Sequence, residues 1–178
     1  MSPEPASEMT VFDPEQFTYR TERADDAPAV EALLDRAFGP GRHVLTTYRL
    51  REGVGHIAEL ALVGEKDGGL VGTIRFWPVV IGTSAGALLL GPLAIDPARR
   101  NQGCGLGLMR RGLERAAGAG HRLVILVGDP PYYARAGFAP VPPGRITLPG
   151  PVDPRRLLYV ELVAGALAAA SGTVRRPT

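Results

Sequence analysis

The stretch that decides the fold is residues 87–120, which read A-L-L-L-G-P-L-A-I-D-P-A-R-R-N-Q-G-C-G-L-G-L-M-R-R-G-L-E-R-A-A-G-A-G. It begins with an apolar run typical of a buried strand, and Asp96-Pro97 ends that run. A glycine-rich turn follows, after which apolar residues recur at steps of three and four, so a helix is expected to start inside the glycine run. The stretch therefore predicts a strand, a glycine loop and a helix start in direct succession.

A glycine loop that leads into a helix is suited to binding a phosphate. Glycine lets the backbone approach a ligand closely, and the first amides of a helix carry the positive end of its dipole. The spacing argues against two common nucleotide motifs. A P-loop needs Gly-Lys before Ser or Thr, but the only lysine of the chain is Lys66. A dinucleotide fingerprint needs a third glycine at the position of Leu108.

Two motifs carry a resemblance to a known family. Residues 100–105, R-N-Q-G-C-G, fit the pattern R/Q-x-x-G-x-G/A, and residues 133–138 fit Y-x-x-x-G-F after a second apolar run at 122–127. In this order the motifs resemble the coenzyme A loop and the segment after the fifth strand in the GNAT superfamily of N-acetyltransferases. From about Tyr19 onward the sequence is similar to the YhbS-like branch of predicted acetyltransferases. For the first motif alone, a glycine turn that only joins strand to helix is the alternative.

The resemblance implies the fold and the acyl donor. It implies an α/β (α+β) fold with a mixed, mostly antiparallel central sheet, flanked by helices and splayed between the fourth and fifth strands. It also implies acetyl-CoA as the donor, with no metal, and direct transfer to an amine of a small molecule or a protein. The implied CoA-binding residues are Leu93, Ala94, Ile95, Arg100, Gln102, Gly103, Cys104, Gly105, Leu106 and Gly107.

Tyr133 is the expected catalytic acid, because it heads the Y-x-x-x-G-F motif. A phenol with a pKa of about 10 stays protonated at neutral pH and can protonate a thiolate whose thiol has a pKa of about 8.5. The neighbouring Tyr132 competes for this role, and a tyrosine at a sheet edge with a solvated hydroxyl is the structural alternative. The asparagine that usually precedes the motif is absent here, where residues 128–131 read G-D-P-P.

The base that takes the proton from the amine is less determined by the sequence. Asp129 is the first choice, because it follows the fifth strand where the cleft should open. Its alternative role is to cap a turn before two prolines. Glu52, His56 and Glu59 remain open as candidates.

The remaining pattern predicts a single domain over residues 1–178, with residues 1–16 as a flexible tail. Three adjacent antiparallel strands lead into a strand, loop, helix and strand, which predicts a mixed sheet with helices on both faces. A bulge is expected near Pro92, which cannot donate a ladder hydrogen bond. Residues 164–178 are read as a second tail. The expected strands are 17–21, 57–64, 70–81, 87–95, 122–127, 146–148 and 157–163, and the expected helices lie at 29–38, within 42–52 and from inside the glycine run onward.

Composition limits the partners. A formal charge of +2 with dispersed basic residues does not favour nucleic acid or a membrane surface. Cys104 is the only cysteine and the three histidines show no ligand spacing, so neither a disulfide nor a metal site is expected. No segment resembles a signal peptide or a membrane span, which predicts a cytoplasmic protein, as a monomer or homodimer.

Two other functions remain open on the sequence. One is a non-catalytic sensor that binds acyl-CoA without turning it over. The other keeps the fold but uses a longer acyl donor or an oxygen acceptor.

Overall fold

The central feature is a mixed β-sheet with helices on both faces, in a computed structural model that describes residues 16–178. The strands are β1 (Thr18–Thr21), β2 (Leu62–Lys66), β3 (Gly69–Ile81), β4 (Ala85–Ile95), β5 (Leu123–Val127), β6 (Ala139–Pro140), β7 (Ile146–Thr147), β8 (Leu157–Glu161) and β9 (Gly172–Arg175). The helices are α1 (Ala27–Phe38), α2 (Thr46–Arg49), α3 (Cys104–Gly118) and α4 (Pro130–Ala134). Apart from Gln16, the predicted N-terminal tail lies outside the described residues. None of the helices within residues 16–178 has the length and apolar character needed to cross a membrane.

The sheet opens in its middle. Its order is β1-β2-β3-β4-β5-β8-β6, and along this path only β4 and β5 are parallel neighbours. Those two strands pair at Leu88 with Val124 and at Leu89 with Ile125, and they separate beyond these pairs. The edge of β4 from residue 90 to residue 95 is therefore uncovered on the β5 side within the described chain. This confirms the mostly antiparallel sheet splayed between the fourth and fifth strands.

The alternation of side chains along the strands places one helix on each face. Leu62 packs with Leu108 and Met109 of α3, while its neighbour Val63 points to the opposite face. On that opposite face α1 forms a cluster made of Val30, Leu33, Leu34, Val63 and Ala94. The two helices hold β4 between them, and β4 is the strand that leads into the glycine loop.

Two predicted elements are shorter than expected. The strand predicted at 57–64 begins only at Leu62, because Ala58–Leu60 form a 3-10 turn. Before that turn, the Ile57 amide donates a single hydrogen bond to the Phe76 carbonyl at 2.9 Å. The helix predicted within 42–52 is limited to the four residues of α2 and is preceded by a 3-10 segment at Pro40–Val44.

The prediction of a C-terminal tail over residues 164–178 is wrong. These residues include β9, which pairs antiparallel with the end of β3 at Val80 with Arg175 and at Ile81 with Val174. It also pairs parallel with β7. β3 extends past the end of β2, so its last residues have a free edge. β9 pairs with this edge at Val80 and Ile81, and its Val174 is fully buried. Four strand residues with one large apolar side chain give too weak a pattern to be recognised in the sequence.

Candidate active site

A bulge changes the course of β4 at the point where β5 leaves it. Leu93 pairs with Ile74 but Leu90 pairs with Phe76, so β4 has one more residue than β3 over this span. The position agrees with the bulge predicted near Pro92. Beyond it, one edge of β4 remains paired with β3, and the other faces the opening in the sheet.

A first cavity of about 310 Å³ lies between the end of β4 and the start of α3. It is lined by Ala37, Phe38, Leu93, Ala94, Ile95, Arg99, Arg100, Asn101, Gly103, Cys104, Gly105, Leu106, Tyr132, Tyr133 and Arg135. The strand, the glycine loop and the helix start that were predicted from residues 87–120 therefore form one concave surface.

The start of α3 presents main-chain donors to this cavity. Gly103 precedes the helix with φ of 91°, a left-handed conformation that favours glycine. The first amide that bonds within the helix is that of Gly107, which donates to the Gly103 carbonyl at 3.0 Å. The amides of Cys104, Gly105 and Leu106 have no acceptor within the helix, since they lie in its first turn. All three residues line the cavity, so this surface is suited to an anion.

Most of the residues expected to bind CoA line the first cavity, but two do not. Gln102 is exposed on the outer side of the loop. Gly107 is buried against β1, where an added Cβ would overlap the Tyr19 hydroxyl. Arg100 lines the cavity and is exposed. The expected residues that line the cavity are Leu93, Ala94, Ile95, Arg100, Gly103, Cys104, Gly105 and Leu106.

Other lining residues were not expected from the sequence. Arg99 lines the cavity while its guanidinium pairs with Asp67 at 3.1 Å. Phe38 comes from the end of α1 and is 51% exposed. Ala37, Asn101, Tyr132 and Arg135 complete the set. The Asn101 φ of 62° is a left-handed turn conformation. No pattern in the sequence connects the end of α1 with the glycine loop.

Cys104 fills space beneath the loop. Its sulfur would lie 2.8 Å from a Cβ added to Gly64 and 2.9 Å from one added to Gly72, so the two glycines of β2 and β3 make room for it. Burial raises the pKa of the Cys104 thiol to about 12. A thiol that stays protonated at neutral pH is a poor nucleophile, in agreement with its interpretation as a small apolar residue.

Tyr133 lies where the first cavity meets a second one. It belongs to α4, a short helix that the sequence analysis did not predict and that begins with two prolines after Asp129. Its ring contacts Phe138 at a centroid distance of 6.0 Å and Tyr132 at 5.0 Å. Burial raises the pKa of the Tyr133 phenol to about 12, and the nearby Tyr132 and Asp129 act in the same direction. The hydroxyl is therefore protonated at neutral pH.

The second cavity, also about 310 Å³, occupies the opening between β4 and β5. It shares four residues with the first cavity: Phe38, Leu93, Tyr132 and Tyr133. A third cavity of about 220 Å³ continues from it and shares Tyr48, Arg51 and Pro92. A connected path therefore runs from the start of α3 past Tyr133 to the space beneath α1 and α2.

The candidate bases lie at different points around this path. Asp129 is exposed and lines the second cavity with Tyr133, and Glu52 lines the third cavity. His56 and Glu59 line none of the three cavities. The His56 ring packs edge-on against Trp77 at 5.5 Å, and burial lowers the pKa of its imidazole. Only Asp129 shares a cavity with Tyr133.

Charged and aromatic residues from distant parts of the chain line the third cavity. Arg75 donates to the Glu22 carboxylate at 2.5 and 3.0 Å, and Arg42 pairs with Glu31 and Asp35. The remaining lining residues include Tyr48, Arg51 and Trp77. The family resemblance implies that the first two helices and the loop between them wall the acceptor pocket, but no local motif marks these individual side chains.

Comparison with known proteins identifies the family. The acetyltransferase (GNAT) domain family matches residues 18–141. The chain is 33% identical over 120 residues to the uncharacterized N-acetyltransferase YhbS of Escherichia coli K12, covering 67% of this chain and 71% of that protein. The structure of Escherichia coli YhbS in complex with CoA superposes with a TM-score of 0.78, at 29% identity, over 91% of this chain and 90% of that one. A GNAT family acetyltransferase from Brucella melitensis in complex with acetyl-CoA gives a TM-score of 0.58 at 37% identity, covering 69% of this chain and 82% of that one. Because the domain match spans more than half of the sequence, the chain belongs to the GNAT family of acetyltransferases.

Proposed function

We propose that this protein transfers the acetyl group of acetyl-CoA directly to an amine, with the donor in the first cavity and the acceptor in the second. The observation that carries the proposal is the junction of the two cavities at Tyr132 and Tyr133. Direct transfer needs both substrates bound at once with their reacting atoms close together. Two cavities that share a wall allow this arrangement. A cytoplasmic protein, as a monomer or homodimer, remains part of the prediction.

The first cavity supplies what the donor needs. The amides of Cys104, Gly105 and Leu106 at the start of α3 would bind the diphosphate of CoA, with the helix dipole in support. The uncovered edge of β4 at Leu93 and Ile95 would hold the pantetheine arm by main-chain hydrogen bonds. The relatives from Escherichia coli and Brucella melitensis were solved with CoA and acetyl-CoA respectively, which supports the same donor here.

Tyr133 would protonate the departing thiolate. The raised pKa keeps the phenol protonated throughout the neutral range, so it can donate a hydrogen bond to the sulfur as negative charge develops there. Because the thiolate is a weaker base than the phenolate, the proton would pass to sulfur only with replacement of the phenol proton from water. Tyr133 lines both cavities. A group that protonates the sulfur after the acceptor has attacked must lie at this junction.

Asp129 would take the proton of the amine. An alkylammonium group has a pKa of about 10, so at neutral pH the acceptor must lose a proton before it can attack. Asp129 lines the second cavity and is also exposed, so it can pass a proton to water.

The test is to compare wild type with Tyr133→Phe, using release of CoA thiol with an amine panel and the melting shift caused by acetyl-CoA. We expect acetyl-CoA to stabilise both proteins equally, and we expect kcat to fall by about 10²- to 10⁴-fold in the variant, the usual contribution of a general acid. Tyr132→Phe is the matched control and should retain kcat within about threefold.

A non-catalytic sensor would give a different result. Acetyl-CoA would still raise Tm, but thiol release would be absent with every amine and Tyr133→Phe would change nothing. If kcat falls in Tyr132→Phe and not in Tyr133→Phe, the catalytic acid is Tyr132 and the assignment to Tyr133 is wrong. A larger melting shift with longer acyl-CoAs would indicate a different acyl donor.

A further inference from the structure

Arg51 is a buried cation in the wall of the second and third cavities. It follows α2 and is 8% exposed, and it lines both cavities. Its guanidinium carbon lies 4.6 Å from the centroid of the Tyr48 ring and 5.7 Å from that of Trp77. Two aromatic faces thus hold the guanidinium in place.

Two of the three guanidinium nitrogens of Arg51 have no hydrogen-bond acceptor. Its Nε and Nη1 atoms are buried without a hydrogen-bond partner, and so is the hydroxyl of Tyr48. The other two arginines of the third cavity are paired, Arg75 with Glu22 and Arg42 with Glu31 and Asp35. Arg51 differs from both, since no carboxylate in residues 16–178 lies within ion-pair distance of it.

A buried cation without a counter-ion is unfavourable, and ring faces compensate for only part of the lost hydration. Burial lowers the pKa of the Arg51 guanidinium to about 10, and the proximity of Tyr48 offsets part of this effect. The group is therefore still charged at neutral pH. A carboxylate would remove the deficit, because its two oxygens accept hydrogen bonds from a guanidinium in a matching planar geometry.

We propose that the acceptor is an amine that also carries a carboxylate, and that Arg51 binds this carboxylate with the Tyr48 hydroxyl beside it. The proposal rests on the proposed function, whose acceptor site it specifies. A carboxylate is favoured over a phosphate because Arg51 is the buried guanidinium here and balances one negative charge, whereas Arg156, which also lines the second cavity, is exposed and donates to the Gly128 carbonyl.

The location of Arg51 also limits the size of the acceptor. A Cβ added to Gly91 would lie 2.6 Å from Arg51 Nη2, so the guanidinium packs directly against the bulge of β4. Leu93, where the pantetheine arm would run, is two residues further, which is at most about 7 Å along the strand. An amino group and a carboxylate that reach both points lie within about 7 Å of each other, as they do in an amino acid. The expected acceptor is an amino acid, as a free molecule.

The experiment measures thiol release from acetyl-CoA with paired acceptors. Each of a set of L-amino acids, β-alanine and 4-aminobutanoate is compared with its own carboxamide, and 2-aminoethyl phosphate is included. For the best amino acid we expect kcat/KM to be at least about 30-fold higher than for its carboxamide. This is the effect expected when one partner of a buried charge pair is removed. In Arg51→Met this ratio should fall to within about threefold of one, and Arg51→Lys should give an intermediate ratio.

Arg49→Met is the matched control. Arg49 is exposed, ends α2 and lines none of the three cavities, so the same loss of charge two residues away should leave the ratio unchanged. Because Arg51→Met removes an unpaired buried charge, its Tm should be no lower than that of Arg49→Met. A structural role for Arg51 predicts a lower Tm.

Melting shifts provide a readout without catalysis. The N-acetylated form of the best acid should raise the Tm of the CoA-saturated wild type, and its carboxamide should not, while Arg51→Met should lose this difference. Equal rates with acids and carboxamides, an unchanged ratio in Arg51→Met, or a preference for 2-aminoethyl phosphate would overturn the proposal. Failure of acetyl-CoA to raise Tm would count against the proposed function alone, since an Arg51-dependent shift caused by free amino acids would still support the carboxylate site.

Discussion

The two ends of the active-site path are built from different parts of the chain. At the donor end the groups suited to a ligand are main-chain amides of consecutive residues, Cys104 to Leu106, at the start of a helix. At the acceptor end they are side chains such as Tyr48, Arg51 and Trp77, which come from α2, the loop after it and β3. A ligand common to many relatives can be held by backbone geometry, whereas a particular acceptor needs particular side chains. The contrast predicts that mutations at the two ends will affect different substrates.

Among the changes that separate the two ends, the largest effect is expected from adding one methyl group at the donor end. In Gly105→Ala the new Cβ would overlap the Tyr132 hydroxyl, so the tyrosine must shift, and the methyl group keeps the backbone from approaching the diphosphate closely. We expect the Kd for acetyl-CoA to rise at least about tenfold, equivalent to about 1.4 kcal/mol. The measurement is isothermal titration calorimetry.

Gly118→Ala is the matched control for this change. It lies in the same helix, and an added Cβ there meets no atom within 4 Å. Its affinity for acetyl-CoA should stay at the wild-type value, and its stability should rise by about 0.5–1 kcal/mol because glycine is the weaker helix former. If both alanine variants bind acetyl-CoA as wild type does, the amides around Gly105 do not hold the donor.

An intermediate effect is expected at the acceptor end from Trp77→Phe. The Trp77 indole N–H donates to the Gly91 carbonyl at 2.6 Å and so supports the bulge beside Arg51. Loss of such a bond is worth about 1 kcal/mol, which is about fivefold in an equilibrium constant. We expect KM for the amine to rise about fivefold and the Kd for acetyl-CoA to stay within twofold. An equal loss of affinity for both substrates would contradict the separation of the two ends.

The smallest effect is expected from alkaline pH, through Tyr133 at the junction. Its phenol has a pKa of about 12 when folded and about 10 when unfolded. Below pH 10 the phenol keeps its proton in both the folded and the unfolded state, so the contribution of Tyr133 to the free energy of unfolding is fully present. Between about pH 10 and 12 only the unfolded chain releases it, and the folded state loses stability. Melting curves should therefore show a steeper fall of Tm above pH 10 in wild type than in Tyr133→Phe, and equal slopes would show that the phenol is not shifted.

The sequence predicted the donor end because its signals are local. The apolar run of β4, the glycines and the periodicity of α3 lie within residues 87–120, and each has a direct structural meaning. The fold and the family were confirmed. Leu93 to Ile95 and most of the glycine loop lie together in the first cavity, as expected. α4 was missed because five residues with two prolines carry no helical periodicity.

The individual side chains of the acceptor end could not be predicted, for a physical reason. Whether an arginine is buried and unpaired depends on what packs around it, and the surroundings of Arg51 come from β3 and β4. In the sequence, R-L-R-E at residues 49–52 is typical of an exposed helix end. Arg49 matches that interpretation and is exposed, whereas Arg51, two residues later, is buried. β9 was missed for a similar reason: it forms a strand because it pairs with the end of β3, a part of the chain far from it in sequence.

The most direct test of the central claim is a crystal structure of this protein with acetyl-CoA. We predict diphosphate oxygens 2.7–3.2 Å from the amides of Cys104, Gly105 and Leu106, the normal hydrogen-bond range, and the Tyr133 hydroxyl directed at the sulfur. A diphosphate bound by arginine side chains away from the start of α3, or a sulfur that faces Tyr132 with Tyr133 turned away, would contradict the account.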